Sequence, residues 1–143
     1  MKMPAYDECY LDSMLQKGRY LFKLIGRNSD QAFDLIKQYM NGEYRGYMDD
    51  GNPLYLNKTP KQILGNMQVE IRNLEEISEI YDEFILEWMA DIYTYMQWKY
   101  TYRSSDIVKA IDPEALYSKY YPLHETSVEV GVEKLKEIYL KQD

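Results

Sequence analysis

Few side chains in this sequence carry types and spacings that could do catalysis, and His124 comes first among them. It is the only histidine, next to Glu125 and just ahead of a helix-start signal at Thr126. A neutral imidazole beside a carboxylate is equipped to serve as a general base or as a metal ligand. Histidine-containing metal sites recruit three or four protein ligands, and the chain supplies neither a second histidine nor a cysteine cluster. A satisfied imidazole that fixes the turn between "YYP" and the last helix is the simpler role. If a pocket exists, Asn52 and Tyr55 of "GNPLY" together with Tyr121 and His124 are the residues to line it, as a small-ligand site or an active site.

Two other motifs offer less. Cys9 follows Asp7 and Glu8, whose negative charges disfavour the thiolate that a nucleophile requires. "DDGN", Asp49 to Asn52, imitates a fragment of a calcium loop but lacks its alternating acidic ligands and terminal Glu, and reads as turn chemistry. Neither supports a catalytic centre or a metal site, and no cofactor is implied. Glu83, Glu87 and Asp91 recur every four residues and so share one helical stripe. Their mutual repulsion is small, and a basic partner docking on that water-facing stripe would relieve it.

The aromatic residues carry more information. The stretch "YTYMQWKYTYRSSDI", residues 93–107, concentrates tyrosines and a tryptophan in a chain already holding 16 tyrosines. At helical spacing, Trp88, Ile92, Tyr95 and Met96 belong in a core. Trp98, Tyr100 and Tyr102 lie instead at the helix end, beside Lys99 and Arg103, where half-exposed rings make contact surfaces for a protein partner. The same surface would serve equally as an isologous homodimer contact.

Composition bounds the partners. A formal charge of −7 disfavours nonspecific binding to nucleic acid or to an anionic membrane. One cysteine cannot form an internal disulfide, and "MKMPAYDECYLDSM" lacks the apolar run of a secretory signal, so a cytoplasmic location is expected. No stretch approaches the roughly 20 consecutive apolar residues of a membrane span.

The elements that position these residues are expected to be helices. At 143 residues without a linker or repeat, the chain reads as one domain, residues 1–143. Apolar spacing predicts a first helix over 6–25, stopped by Gly26, and a second from an Asn28–Gln31 capping pair to Gly42. Residues 42–58 read as a loop with at most one helical turn. "TPKQ" provides Thr59 as cap and Pro60 at the first position of a third helix through Ile63, Leu64, Met67 and Ile71. The longest helix is expected over 78–102. Phe84, Trp88, Ile92, Tyr95 and Met96 would lie on one apolar side of it, and Ile85, Met89, Tyr93 and Tyr100 on an adjoining one. Start signals at Ser104 or Ser105, at Asp112–Pro113 and at Thr126 with Glu129 fill the C-terminal third. The result is an all-α single compact domain of six to seven helices around a long aromatic one.

"YTYMQWKYTYRSSDIVKAI" followed by "YYPLHET" resembles the C-terminal signature of an uncharacterised family of small helical bacterial proteins. The match is carried by Tyr95, Gln97, Trp98, Tyr121, Pro122, Leu123, His124 and Glu125. "YDECYLDSMLQKGRYLF" and "GNPLYL", with Gly51, Asn52, Pro53 and Tyr55, extend the resemblance over most of the chain. It departs where the family pattern has a Gly-Trp pair and this chain has Glu87 and Trp88, and where Tyr-Tyr becomes Tyr95–Met96. Such proteins are often encoded near ADP-ribosyltransferase-like proteins, in an arrangement similar to toxin–antitoxin pairs. The resemblance therefore implies a non-catalytic protein-binding module, an antitoxin or regulatory component whose partner is an ADP-ribosyltransferase-like toxin. Helical ribonuclease toxins of the companion type pair an Arg with a His about five residues on, and "SKYYPLH" contains no arginine.

Overall fold

The fold is organised by two helices that lie antiparallel: α1, Glu8–Asn28, and α6, Glu83–Tyr100. Their approach is set by two glycines. A methyl group at Gly18 would sit 3.2 Å from Thr94 Oγ1 and 3.5 Å from Ala90 Cβ, and one at Gly26 would collide with Leu86 Cδ1. Gly26 is thus not a helix stop. It is buried inside α1, and the helix continues to Asn28 because the glycine lets Leu86, itself fully buried, come close.

The computed structural model describes residues 3–28, 30–69 and 80–140; these contain ten helices and no strand. The remaining eight helices are α2 Ala32–Met40, α3 Glu43–Asp49, α4 Pro53–Leu56, α5 Pro60–Asn66, α7 Ser104–Ala110, α8 Pro113–Ser118, α9 Tyr120–Leu123 and α10 Val128–Tyr139. More helices form than expected because residues 42–58 yield two. Pro53 starts α4 with the Asn52 side chain accepting from the Leu54 N–H at 3.0 Å, and Gly51 makes the turn before it at φ +73°. Only glycine fits there, since a Cβ would lie 2.8 Å from the Ala5 carbonyl.

Several starts form as the caps dictate. Thr59 and Gln62 make both bonds of a capping box at α5, and Asp112 accepts from the Glu114 N–H at 2.9 Å to open α8. Helix α5 ends at Asn66; Ile71, and Ser78 where the long helix was expected to begin, lie outside the described residues. Asp82 caps α6 by accepting from Phe84 N–H, and α2 begins after Gln31 rather than after Asn28. At α10 the cap is Ser127, not Thr126, whose hydroxyl donates to the Leu123 carbonyl at 2.7 Å.

Helix α6, 18 residues against 21 for α1, packs against α1, α7, α8, α9 and α10. Its Trp88, Met89, Ile92, Tyr93 and Met96 are buried with Leu21, Phe22 and Ile25 of α1. The Tyr93 hydroxyl donates to the Ile111 carbonyl at 2.7 Å, which spares a buried polar group its desolvation cost. Phe84 departs from the expected apolar side and is 73% exposed. In the first turn, Glu83 and Leu86 meet Arg27 and Gly26 of α1, and Phe84 faces outward. No helix among the described residues is long and apolar enough to cross a membrane.

Candidate functional site

The acidic stripe of α6 faces α1. Glu83, Glu87 and Asp91 meet Arg27, Lys23 and Arg19 at 2.5, 4.0 and 3.4 Å, a ladder that follows from antiparallel helices with matching four-residue spacing. The cations that could balance the stripe therefore come from the same chain, and all three carboxylates are half-buried rather than water-facing. Arg27 holds Glu83 below the usual carboxylate range through its hydrogen bond. Asp91 behaves differently. Burial pushes its carboxyl up to about 6, with Arg19 pulling down and Glu87 adding to the rise. Arg19 is close enough to pair but not aligned to donate, and Asp91 Oδ1 accepts no hydrogen bond.

The aromatic end of α6 divides in two. Trp98 was expected at the surface but is only 8% exposed. Its Nε1 donates to the Tyr6 carbonyl at 2.8 Å, while the Ala5 N–H donates to the Trp98 carbonyl at 2.9 Å, so the segment before α1 latches over the indole. Tyr100 and Tyr102 remain half-buried and stack on each other, with centroids 5.7 Å apart. Thr101 between them adopts a left-handed conformation, φ +57°, which ends α6 and turns Tyr102 back toward Tyr100. Lys136 of α10 lies 4.4 Å above the Tyr100 ring and Lys99 lies 5.4 Å from it, and the Tyr100 hydroxyl donates to Glu133.

His124 caps α9. Its Nδ1 is 2.9 Å from the Tyr120 carbonyl and 3.2 Å from that of Tyr121, both acceptors, so Nδ1 is the donor, and the ring stacks on Tyr120 at 4.4 Å. Tyr120 in turn meets Trp88 edge-on, and Tyr121 is 71% exposed. Tyr55 stacks on Tyr47 at 4.4 Å and Asn52 caps α4, so their contacts lie on the α3–α4 hairpin while those of His124 and Tyr121 lie on α9. Each half of the candidate pocket is thus accounted for by its own neighbours.

A buried polar cluster was missing from the sequence reading. Arg45 is 1% exposed, and Asp49, one helical turn on, places Oδ1 3.7 Å from its Nε. Asp49 gives its hydrogen bonds to Ser104 instead, accepting from the backbone N–H at 2.7 Å and the hydroxyl at 2.6 Å. It therefore caps α7 from another helix, which explains why Arg103, the local cap position, makes no capping bond. Arg45 also touches Met48 Sδ at 3.8 Å and lies 5.9 Å from the Tyr39 ring centroid. Burial pushes the Tyr6 hydroxyl up to about 12, and its oxygen, Arg45 Nε and Gln97 Oε1 are buried without hydrogen bonds. The signal in the sequence was the Arg45–Asp49 four-residue spacing, hidden by the glycines around it.

No group of three or more His, Cys, Asp or Glu side chains that could hold a metal ion occurs among the described residues. The surface at the end of α6 carries the stacked Tyr100 and Tyr102 rings with Lys99 and Lys136 beside them. The chain matches no family profile, no curated protein and no solved structure.

Proposed function

We propose that the chain is a non-catalytic protein-binding module whose contact surface is the C-terminal end of α6 with the facing side of α10. The observation that supports this is the Tyr100–Tyr102 pair, stacked at 5.7 Å, with Lys136 of α10 over the Tyr100 ring. Rings ordered before a partner arrives lose little entropy on binding, and tyrosines of this kind carry a large share of interface energy. Trp98 contributes from beneath by fixing the backbone that carries both rings. In its more specific form the reading makes the protein the antitoxin or regulatory component of a pair, covering an ADP-ribosyltransferase-like partner, as the sequence resemblance implies.

The test is affinity capture from the native host with wild-type protein and a Tyr100→Ala/Tyr102→Ala variant, each melted to verify folding. The reading predicts a partner recovered by wild type and lost by the folded variant. Equal recovery by both removes these rings from the interface.

A further inference from the structure

The segment that latches over Trp98 borders an open groove of 540 Å³, lined by Met3, Pro4, Tyr6, Asp7, Glu8 and Trp98. A second concavity of 400 Å³, lined by Glu8, Cys9, Leu11 and Asp12, adjoins it at Glu8 along the first turns of α1. The groove's floor and one wall are apolar: the indole edge, Pro4 and Met3, the last 83% exposed. Its rim is acidic, and Glu8 and Asp12 form no ion pair among the described residues.

Among the described residues, Glu8 and Asp12 on this rim have no cation paired with them. All four cations of α1 are engaged elsewhere: Lys17 donates to the Leu56 carbonyl at 2.8 Å, while Arg19, Lys23 and Arg27 face the stripe on α6. Lys99, at the end of α6, pairs with Glu133 at 3.5 Å. Burial raises the Tyr95 hydroxyl, Lys99 opposes the rise, and Glu129, Glu133 and Glu8 add to it, so acidic residues of two helices act on the same part of α6. A partly apolar trough with an acidic rim selects a chain that alternates cationic and apolar side chains, and it repels nucleic acid and anionic membranes.

We propose that the trough between the Met3–Asp7 segment and the first turns of α1 receives a lysine- or arginine-bearing, partly apolar segment of the partner protein. Cationic heads would pair with Asp7, Glu8 and Asp12 while apolar side chains cover Met3, Pro4 and the edge of Trp98. This rests on the protein-binding reading and specifies the partner's chemistry. It also links the two surfaces, since Trp98 floors the trough and lies two residues before Tyr100.

The test is calorimetric titration of the full chain with a synthetic lysine–leucine peptide, with its glutamate–leucine counterpart as control. The wild type binds the basic peptide only, and the affinity falls with salt. Glu8→Lys/Asp12→Lys reduces affinity about tenfold or more, and the milder Glu8→Gln/Asp12→Asn variant reduces it in the same direction. Equal binding by the charge-reversed variant, or equal binding of the acidic peptide, overturns the proposal. In the capture experiment, a charge-reversed variant that still recovers the partner lost by the Tyr100→Ala/Tyr102→Ala variant overturns the trough while leaving the binding role intact. If wild type captures no partner and takes up no basic peptide, both readings fall.

Discussion

Replacing Asp91 by asparagine should stabilise the protein at neutral pH, and the gain should disappear in acid. The carboxyl, whose ordinary value is 3.8, is raised to about 6 chiefly by burial. A raised value means that the fold disfavours the charged form. Below the ordinary value the group is protonated in both folded and unfolded chains and costs nothing. Between that value and about 6 the unfolded chain ionises while the folded one resists, and above about 6 the penalty is complete. The gap corresponds to about 3 kcal/mol at pH 7. One fifth of the side chain remains exposed, and the substitution strips Arg19 of a counter-charge, so the net gain is smaller, about 1–2 kcal/mol. At about pH 4 the wild-type carboxyl is already protonated in the fold, and the difference shrinks to about 0.5 kcal/mol or less. Urea denaturation of both proteins from about pH 4 to about pH 8 reads this directly as a stability difference that grows with pH. A difference that does not change with pH, or an asparagine variant less stable at pH 7, would refute the assignment of burial as the dominant cause.

Two further perturbations probe the packing. Asp49→Ala removes the carboxylate that faces the buried Arg45 and both Ser104 hydrogen bonds, so a loss of about 3–5 kcal/mol is expected in chemical denaturation. A loss below about 1 kcal/mol would mean that water reaches the guanidinium. The glycines should give opposite signs. Gly26→Ala forces Leu86 to move within a filled core and should cost about 1–3 kcal/mol, whereas Gly65→Ala in α5 meets nothing within 4 Å and should gain about 0.5–1 kcal/mol in thermal melts.

The helical character was legible because it rests on local rules: Thr59–Pro60–Gln62 and Asp112–Pro113 each carry their own cap, whatever surrounds them. What stayed hidden depended on packing between distant segments. Gly26 carries the signature of a helix end, and only the arrival of Leu86 from α6 makes it a packing residue. Asp49 belongs to a turn-like tetrapeptide, yet its partner is Ser104, 55 residues away. The Glu83–Glu87–Asp91 stripe was evident from spacing, but spacing alone does not say that Arg19, Lys23 and Arg27 will align opposite it. Trp98 looked exposed because it neighbours Lys99 and Arg103, whereas the residues that cover it are Ala5 and Tyr6. Tyr100 and Tyr102 are half-buried, as expected of rings with polar tips at a helix end beside Lys99 and Arg103.

The central claim, that the end of α6 is the binding surface, is tested most directly by amide hydrogen exchange of the chain alone and with its captured partner. The account predicts slowed exchange over residues 98–103 and along the side of α10 that carries Glu133 and Lys136, with the far end of α6 near Phe84 unchanged. Protection confined to α9 around His124, or none at the end of α6, would contradict it.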